Sequence, residues 1–586
     1  MFGTSEDIRM ENQKKRDTIQ ILMMVFQTAL VVCFAYMVFI AIKDNFLACL
    51  ERFPREYREA ANLSIARGFL DGKNIYQIPT SGPMPVNVYG FINPLLAAVI
   101  AGVTGLNLLN SFYFLYFFET IVFCALVAGE TYSLIKKDSN YQKIVLKDGH
   151  HFELGNAIIF ISLVLLAYTL TFRIGHISTI PDVLGMLIGM LILMAARRCK
   201  SIKCVFVISL LVVIEFYVKA YFLFFAAPVF IYFLIKNRKY CMYYVGFCLL
   251  TGLVSILIIN ALFPLYFIEN VYFEFVEQFI GAQGNVTAAD SNAYRNSYMI
   301  SQFVKLIVKY NFVLIVGIIA VAYRVTETIK ARLHKTDNRY DIDLLVYDIC
   351  IILAIPVLVV LGKNDGAYMS YHFQLLMPSV LVVSYSLVLK GYNGAICKPG
   401  GLTDRLPILK KISVHKFVVL GGILCAITIS TYKSYVAFGK VSLLTKEQEN
   451  NWKTIEKLCI ETYDKGNLIF AGNLANSVLF DRRSYYSVYN GLTYVNGLTG
   501  ATAEDAARIS ENELYNVIFD DLDEMYVYAA DCNDEIRTNF AESRYEVIIS
   551  DEDAVYEAIN KEDYDATLMT LDMGQFDIEV SIFTRK

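Results

Sequence analysis

Two neighbouring glutamates in the first polar stretch of the chain are well suited to acid–base chemistry. Glu56 and Glu59 are three residues apart, so in a helix they share one face, with Arg55 and Arg58 beside them. A carboxylate that is partly dehydrated at a membrane surface could act as a general base on an acceptor hydroxyl. Asp44 precedes them as a further candidate. The same spacing also suits a solvated amphipathic helix, and spacing alone favours that simpler interpretation.

A second candidate site is the polar segment 173–182. Arg173 and His176 could contact a phosphate, although a lone histidine is more often structural. Asp182 opens an apolar run, where a carboxylate can cap free backbone amides. Capping and ligand binding are equally supported for Asp182 by the sequence.

Lys219 lies between two apolar runs, where a charged side chain is costly unless it is paired or reaches the interface. One partner within reach is Glu215, four residues earlier. An alternative partner is the phosphate or diphosphate of a lipid-linked ligand. The segment 362–374, which includes Tyr371 and His372, is predicted to face the same side and to add hydrogen-bond donors.

The elements that would position these residues are membrane helices. Of the 586 residues, 56% are hydrophobic and 18% are charged, whereas about 25% are charged in soluble domains. Apolar runs of about 15–24 residues recur along the chain and are long enough to cross a bilayer. The sequence therefore predicts an α-helical polytopic membrane protein of about 11–12 membrane helices. No nucleotide-binding glycine motif, HExxH motif or nucleic-acid signature supports another class.

Clusters of Lys and Arg predict which loops are cytoplasmic. The segments placed on the outer side are 44–90, 173–182, the turn at Lys219, 264–303, 362–371 and everything after 434. One conflict concerns residues 91–135, where two apolar runs join an outer loop to a basic cluster at 136 although an odd number of crossings is required. We interpret 91–108 as a partial, re-entrant element.

The charge distribution divides the chain into three parts. Residues 1–18 are predicted to be a cytoplasmic N-terminus, and 19–435 the membrane domain, with 44–90 as its first outer loop. Residues 441–586 hold 29 acidic and 12 basic side chains, a net charge of −17, which is typical of a separate soluble domain. Short apolar strands at 468–470, 525–528, 547–549 and 566–571 predict that 436–586 is a soluble extracytoplasmic α/β domain.

Three motifs on the predicted outer side resemble those of the GT-C superfamily of integral-membrane glycosyltransferases. They are Gly-x-Asn-x-Tyr at 72–76, Tyr-Gly-x-x-x-Pro-Leu at 89–95, and Arg-x-Gly-His-x-Ser-x-x-Pro-Asp-x-Leu-Gly at 173–185. The resemblance covers roughly residues 19–435, and it is most similar to bacterial transferases of the dolichyl-phosphate-mannose and aminoarabinose type. Two departures are Glu56-x-x-Glu59 in place of a paired Asp-Glu, and Asn93-Pro94 in place of Pro-Pro.

The resemblance implies an inverting glycosyltransferase in a bacterial plasma membrane, with a polyprenyl-phosphate-linked sugar as donor and membrane lipid around it. It implies a first-loop carboxylate as the base, with Glu59 the first choice, Glu56 the second and Asp44 the third. Lys219 and Arg173 would neutralise the donor phosphate. The binding set is completed by five further residues, namely His176, Asp182, Tyr89, Tyr371 and His372.

Several points stay open at the level of sequence. The acceptor (a glycan, a lipid or a protein) is unknown, no metal ligands are assigned, and a divalent cation stays an option as cofactor. A transporter or flippase of lipid-linked saccharides would also have a basic outer cavity. A non-catalytic envelope assembly protein, whose tail binds a partner, is the third alternative.

Overall fold

The computed structural model describes residues 5–53, 59–72, 89–136, 149–171, 177–264, 266–267, 313–326, 342–361, 373–397, 425–433, 443–464, 547–550, 562–572 and 577–586, with a few isolated positions between them. The helices are α1 (Ser5–Ala48), α2 (Glu59–Leu70), α3 (Ile92–Thr104), α4 (Leu108–Lys136), α5 (Gly149–Thr171), α6 (Asp182–Arg198), α7 (Ile202–Val218), α8 (Ala226–Lys236), α9 (Arg238–Leu262), α10 (Ile342–Leu361), α11 (Met377–Cys397) and α12 (Lys446–Asp464). Short 3-10 helices span Ala220–Phe225 and Phe373–Leu375. A further apolar helix spans Val313–Thr326.

Contacts between helix termini show which termini lie at the same end of the bundle. At the end that carries the Lys and Arg clusters, here called the basic end, Arg197 of α6 contacts Glu130 of α4 and Asp343 of α10. At the opposite, distal end, the Tyr116 hydroxyl of α4 donates to the carbonyl of Thr171, where α5 ends. Successive long helices therefore run in alternating directions, as a polytopic bundle requires.

The short helix α3 resolves the conflict over the number of membrane crossings between residues 91 and 135. Its 13 residues span about 20 Å, which is less than the roughly 30 Å hydrocarbon core. Asn93 at its start donates to Thr179, which precedes α6. Asn110, just beyond its end, donates to the carbonyl of Cys49 at the end of α1. Both ends of α3 thus lie at the distal end, and α4 makes the single crossing.

Three helices of the described chain are long and apolar enough to cross a membrane, namely Met24–Ala48, Leu108–Lys136 and Arg238–Leu262. Shorter apolar helices pack beside them, including Ala220–Lys236 and Met377–Gly391. The outward faces of the helices carry large exposed apolar side chains, such as those of Leu249 and Leu257 on Arg238–Leu262. Such side chains are expected on a surface that contacts lipid. The protein is therefore a helical membrane protein.

The first helix is longer than the sequence indicated. It spans Ser5–Ala48, so it begins within the predicted cytoplasmic segment 1–18 and continues past residue 44, where the first outer loop was predicted to begin. At its distal end the Asn45 side chain donates to the carbonyl of Ala41 at 2.9 Å, and no glycine or proline interrupts the turn. Asp44 consequently lies in α1 and not in the first loop.

A buried ion network closes the basic end of the bundle. The Glu130 carboxylate is fully buried and accepts from Arg197 at 2.5 Å, from Tyr347 at 2.6 Å and from Arg198. The Lys236 ammonium donates to the carbonyl of Arg197 at 3.1 Å. Because these residues belong to α4, α6, α8 and α10, the network ties four helices together where the chain leaves the membrane.

We expect Arg197→Met to destabilise the folded protein by about 3–5 kcal/mol, because it removes the buried cation of the network and leaves the buried Glu130 carboxylate with only the half-exposed Arg198. The midpoint of unfolding in detergent measures this loss. Lys453→Met is the matched control, since its pair with Glu449 is exposed and such pairs contribute about 0–1 kcal/mol. Equal midpoints for the two variants would contradict a stabilising role for the network.

The described part of the tail is a small α/β unit. Its strands are β1 (Val547–Ser550), β2 (Tyr564–Asp572) and β3 (Asp577–Arg585), antiparallel in the order β1-β3-β2. The strands predicted at 547–549 and 566–571 are confirmed, whereas β3 was not predicted although Ile578, Val580 and Ile582 alternate along it. Those predicted at 468–470 and 525–528 lie outside the described residues.

Candidate functional site

Lys219 owes its position to the break between two helical runs. Helix α7 ends at Val218, and Lys219 is extended, with φ −164° and ψ 125°. Its amide still donates to the carbonyl of Glu215, and its own carbonyl accepts from Phe222 as the 3-10 helix begins. The chain therefore turns at the distal end, and the lysine side chain leaves from the turn itself.

The ammonium of Lys219 is buried and paired with a carboxylate of another helix. Its Nζ lies 3.3 Å from Oδ1 of Asp182, and about 95% of each side chain is shielded from solvent. Asp182 is the first residue of α6, where the helix dipole stabilises a negative charge. The position before it is Pro181, which offers no capping side chain.

Aromatic and amide side chains surround this ion pair. The Lys219 ammonium lies 4.5 Å from the ring centre of Tyr89 and 4.7 Å from that of Tyr221, distances at which cation–π attraction operates. The Tyr221 hydroxyl lies 3.2 Å from Oδ1 of Asp182 and 2.7 Å from Oε1 of Gln374. Having one proton, it donates to one of these at a time. We call these five residues the Lys219 cluster.

The first-loop helix α2 is fastened to the segment that leads into α6. The Asn62 amide donates to Oγ1 of Thr179 at 3.1 Å, and the Asn93 amide donates to the carbonyl of Thr179 at 2.8 Å. All three residues are buried. Because Thr179 stands three residues before Asp182, these bonds fix α2 next to the Lys219 cluster. Glu59 is the first residue of α2, one turn before Asn62.

The approach of the chain to α3 also depends on a glycine. The Gly90 amide donates to the carbonyl of Val218 at 3.1 Å. A Cβ built on Gly90 would lie 1.9 Å from the carbonyl oxygen of Tyr217, which is backbone and cannot rotate away. Gly90 thus permits the contact that places Tyr89 over Lys219.

Because the sequence resemblance implies a polyprenyl-phosphate ligand at the Lys219 cluster, we expect Gly90→Ala to abolish its binding by forcing Tyr89 and the 217–219 backbone apart. Binding of a polyprenyl phosphate to the purified variant measures the loss. Gly129→Ala is the control, because no atom lies within 4 Å of the Cβ it would add. Normal binding by Gly90→Ala would show that this close approach is dispensable.

The structure brings together only some of the residues predicted from the sequence. Lys219, Asp182 and Tyr89 meet directly, and Glu59 lies on the anchored helix. Asp44 lies on α1, which packs against α4 and α5, and no described contact joins it to the Lys219 cluster. The other predicted residues, Glu56, Arg173, His176, Tyr371 and His372, lie outside the described residues.

The pairing of Lys219 with Glu215, the simpler alternative, is not found. Both carboxylate oxygens of Glu215 are buried without a hydrogen-bond partner among the described residues. The extended conformation at Lys219 ends the helix, so the i to i+4 geometry needed for that pair is lost. Among the described residues no group of three His, Cys, Asp or Glu side chains is arranged to hold a metal ion.

Sequence reasoning missed the buried residues that support the cluster. Asn62 and Thr179 lie 117 positions apart, and no local pattern links them. A signal was available for Asn62, since it follows Glu59 by three residues and precedes the buried Leu63 on the inward face of α2. Gly90 was part of a motif, but its contact with α7 was not predicted.

The arrangement of helices is similar to that of a solved membrane transferase. ArnT from Cupriavidus metallidurans in the apo state matches 95% of this chain and 98% of its own, with a TM-score of 0.52 at 9% sequence identity. The chain has the fold of ArnT. ArnT is an aminoarabinose transferase of the GT-C superfamily. The predicted fold class, an α-helical polytopic membrane protein with a GT-C-like arrangement of helices, is confirmed at the level of the fold.

Two further similarities are too low to argue from. ArnT bound to undecaprenyl phosphate gives a TM-score of 0.45 at 10% identity over 93% of this chain and 97% of its own. The oligosaccharyltransferase AglB from Archaeoglobus fulgidus, with an inhibitory peptide and a dolichol-phosphate, gives 0.39 at 11% identity over 96% of this chain and 74% of its own. No family model matches the sequence, and no curated protein matches it.

Proposed function

We propose that the protein is an inverting glycosyltransferase that moves a sugar from a polyprenyl-phosphate donor to an acceptor at the outer face of the membrane. The observation that supports this most is the buried Lys219 cluster, fixed against the first-loop helix that begins at Glu59. In this proposal the distal end of the bundle holds both an anion-binding residue and, on the anchored helix α2, a candidate base. The ArnT fold agrees with this use of the site.

In this proposal the Lys219 cluster binds the donor phosphate. Lys219 is a compact cation, held by Asp182 and two aromatic rings at the distal end of the bundle. Its ammonium has three donors and can turn from Asp182 to a phosphate oxygen without leaving the site. As the bond between the sugar and the phosphate breaks, negative charge grows on the phosphate, and a prealigned cation stabilises that charge.

Glu59 then serves as the general base. It takes the proton of the acceptor hydroxyl, the hydroxyl oxygen attacks the anomeric carbon, and the polyprenyl phosphate leaves with the bonding electrons on the opposite face. Attack opposite to the leaving group inverts the anomeric centre. The Asn62 and Thr179 contact keeps α2 in place during this step, because a base misplaced by about 1 Å loses much of its rate.

Incubation of the purified protein with a panel of radiolabelled polyprenyl-phosphate sugars tests this function. We expect release of polyprenyl phosphate together with label in a new product for at least one donor. Transport of an intact lipid-linked saccharide across vesicles, with no donor turned over, would overturn it.

Transport stays the second candidate because of two carboxyl groups deep in the bundle. Glu119 of α4 and Glu215 of α7 are buried, and each has at least one carboxylate oxygen without a hydrogen-bond partner among the described residues. Such groups in membrane helices often mark the path of a substrate or a proton. The vesicle assay above separates this possibility from sugar transfer. The C-terminal domain is extracytoplasmic in both cases.

A further inference from the structure

Helix α4 of the membrane domain holds the segment 49–53, which follows α1, by hydrogen bonds. The Asn110 amide donates to the carbonyls of Cys49 at 2.6 Å and Glu51 at 3.3 Å. The Tyr113 hydroxyl donates to the carbonyl of Phe53 at 2.8 Å. Three alternate backbone carbonyls of the segment are therefore fixed on one side by the bundle.

The C-terminal domain contacts the same segment from the other side. The Glu51 carboxylate accepts from the amide of Leu444 at 3.0 Å, just before α12. The ring of Phe53 packs edge-on against that of Trp452, with centres 5.3 Å apart. Arg52 pairs with Glu456 at 3.2 Å. The side chains of Glu51, Arg52 and Phe53 thus all engage the tail.

These contacts belong to a closed hydrophobic core. Phe53 and Trp452 are each 4% exposed, and they share a cluster with Ile455, Ile549 and Val580. Helix α12 supplies one wall of this core and the three-stranded sheet the other. A residue of the membrane domain is therefore part of the core of the tail, which makes the contact far more than a surface encounter.

We infer that the C-terminal domain is a positioning element of the active site, which holds the start of the first loop through Phe53 and Trp452. This rests on the proposed function, because the chain that follows Phe53 carries Glu56 and then Glu59, the first residue of α2. The tail is assigned no contact with the reacting groups. It acts by restricting the chain between α1 and α2, so that the base stays aligned with the Lys219 cluster.

The one tryptophan of the sequence is Trp452, so its emission reports on this contact directly. Phe53→Ala should shift that emission to longer wavelength as the indole gains water. Amides of α2 should exchange faster with deuterium, since the chain before α2 is released. The kcat should fall by about 10- to 100-fold, while the KM for the donor changes little. Phe53→Leu, which keeps an apolar side chain, should restore most of the rate.

A second pair of variants distinguishes loss of the contact from loss of folding. Arg52→Glu places like charges together at an exposed pair, and Arg52→Glu with Glu456→Arg restores opposite charges; we expect α2 exchange to rise in the first and to return in the second. Unchanged α2 exchange in Phe53→Ala, with red-shifted emission, would overturn the inference whatever the activity. A wild type that turns over no donor would instead reject the proposed function and leave the exchange result standing.

Discussion

Lys219→Met is expected to raise the dissociation constant for a polyprenyl phosphate by about 10- to 150-fold. The physical reason is the loss of a charge-assisted hydrogen bond to phosphate, which contributes about 1.5–3 kcal/mol. Equilibrium binding of a fluorescent polyprenyl phosphate to the protein in detergent or nanodiscs measures the change.

The control for this variant must deal with the buried partner. Lys219→Met alone leaves Asp182 buried without its cation, so part of any loss could come from destabilisation. Lys219→Met combined with Asp182→Asn removes both charges and should fold normally, yet it should still fail to bind. Wild-type affinity in the double variant would mean that the ion pair serves only to hold α6 against the turn at Lys219.

Glu59→Gln is expected to lower kcat by about 10²- to 10⁴-fold, with the affinity for the donor retained. A glutamine keeps the size of the side chain but cannot accept the proton of the acceptor hydroxyl. The change should therefore appear in kcat and not in donor binding. Steady-state transfer rates at saturating donor, measured beside donor affinity, give the two quantities separately.

Two matched variants show whether the assignment belongs to Glu59. Glu56→Gln removes the carboxylate three residues earlier, and Asp44→Asn removes the one in α1; we expect each to keep at least a tenth of the wild-type rate. If Glu56→Gln is the variant that loses about a hundredfold or more, the base is Glu56. An equal, small loss in all three would contradict a carboxylate base in this part of the chain.

The membrane architecture could be predicted because it depends on local properties of the sequence. Length and hydrophobicity of the apolar runs predict the helices, and the basic clusters predict their direction. The partial element at 91–108 followed from the requirement for an odd number of crossings. The first helix was predicted too short because hydrophobicity ends at Ile42, whereas helical geometry continues through polar residues to Ala48.

The candidate site could be predicted only in part, because its partners are distant in sequence. A lysine between two apolar runs indicated that Lys219 needs an anion, but it could not indicate which one. Glu215 was the nearest carboxylate along the chain, but the extended backbone at Lys219 prevents the two side chains from pairing. Asp182 was read as a cap or a ligand, and its pair with Lys219 depends on how α6 packs against α7, which no local pattern specifies.

The stereochemistry of the transferred sugar tests the central claim most directly. A donor labelled with carbon-13 at the anomeric carbon is incubated with purified protein and acceptor, and the anomeric signal is followed by NMR. We predict one product with the anomeric centre inverted and one equivalent of polyprenyl phosphate released, with no signal change for Glu59→Gln on the same timescale. A product that retains the donor configuration, or a donor that crosses the bilayer unchanged, would contradict inverting transfer at this site.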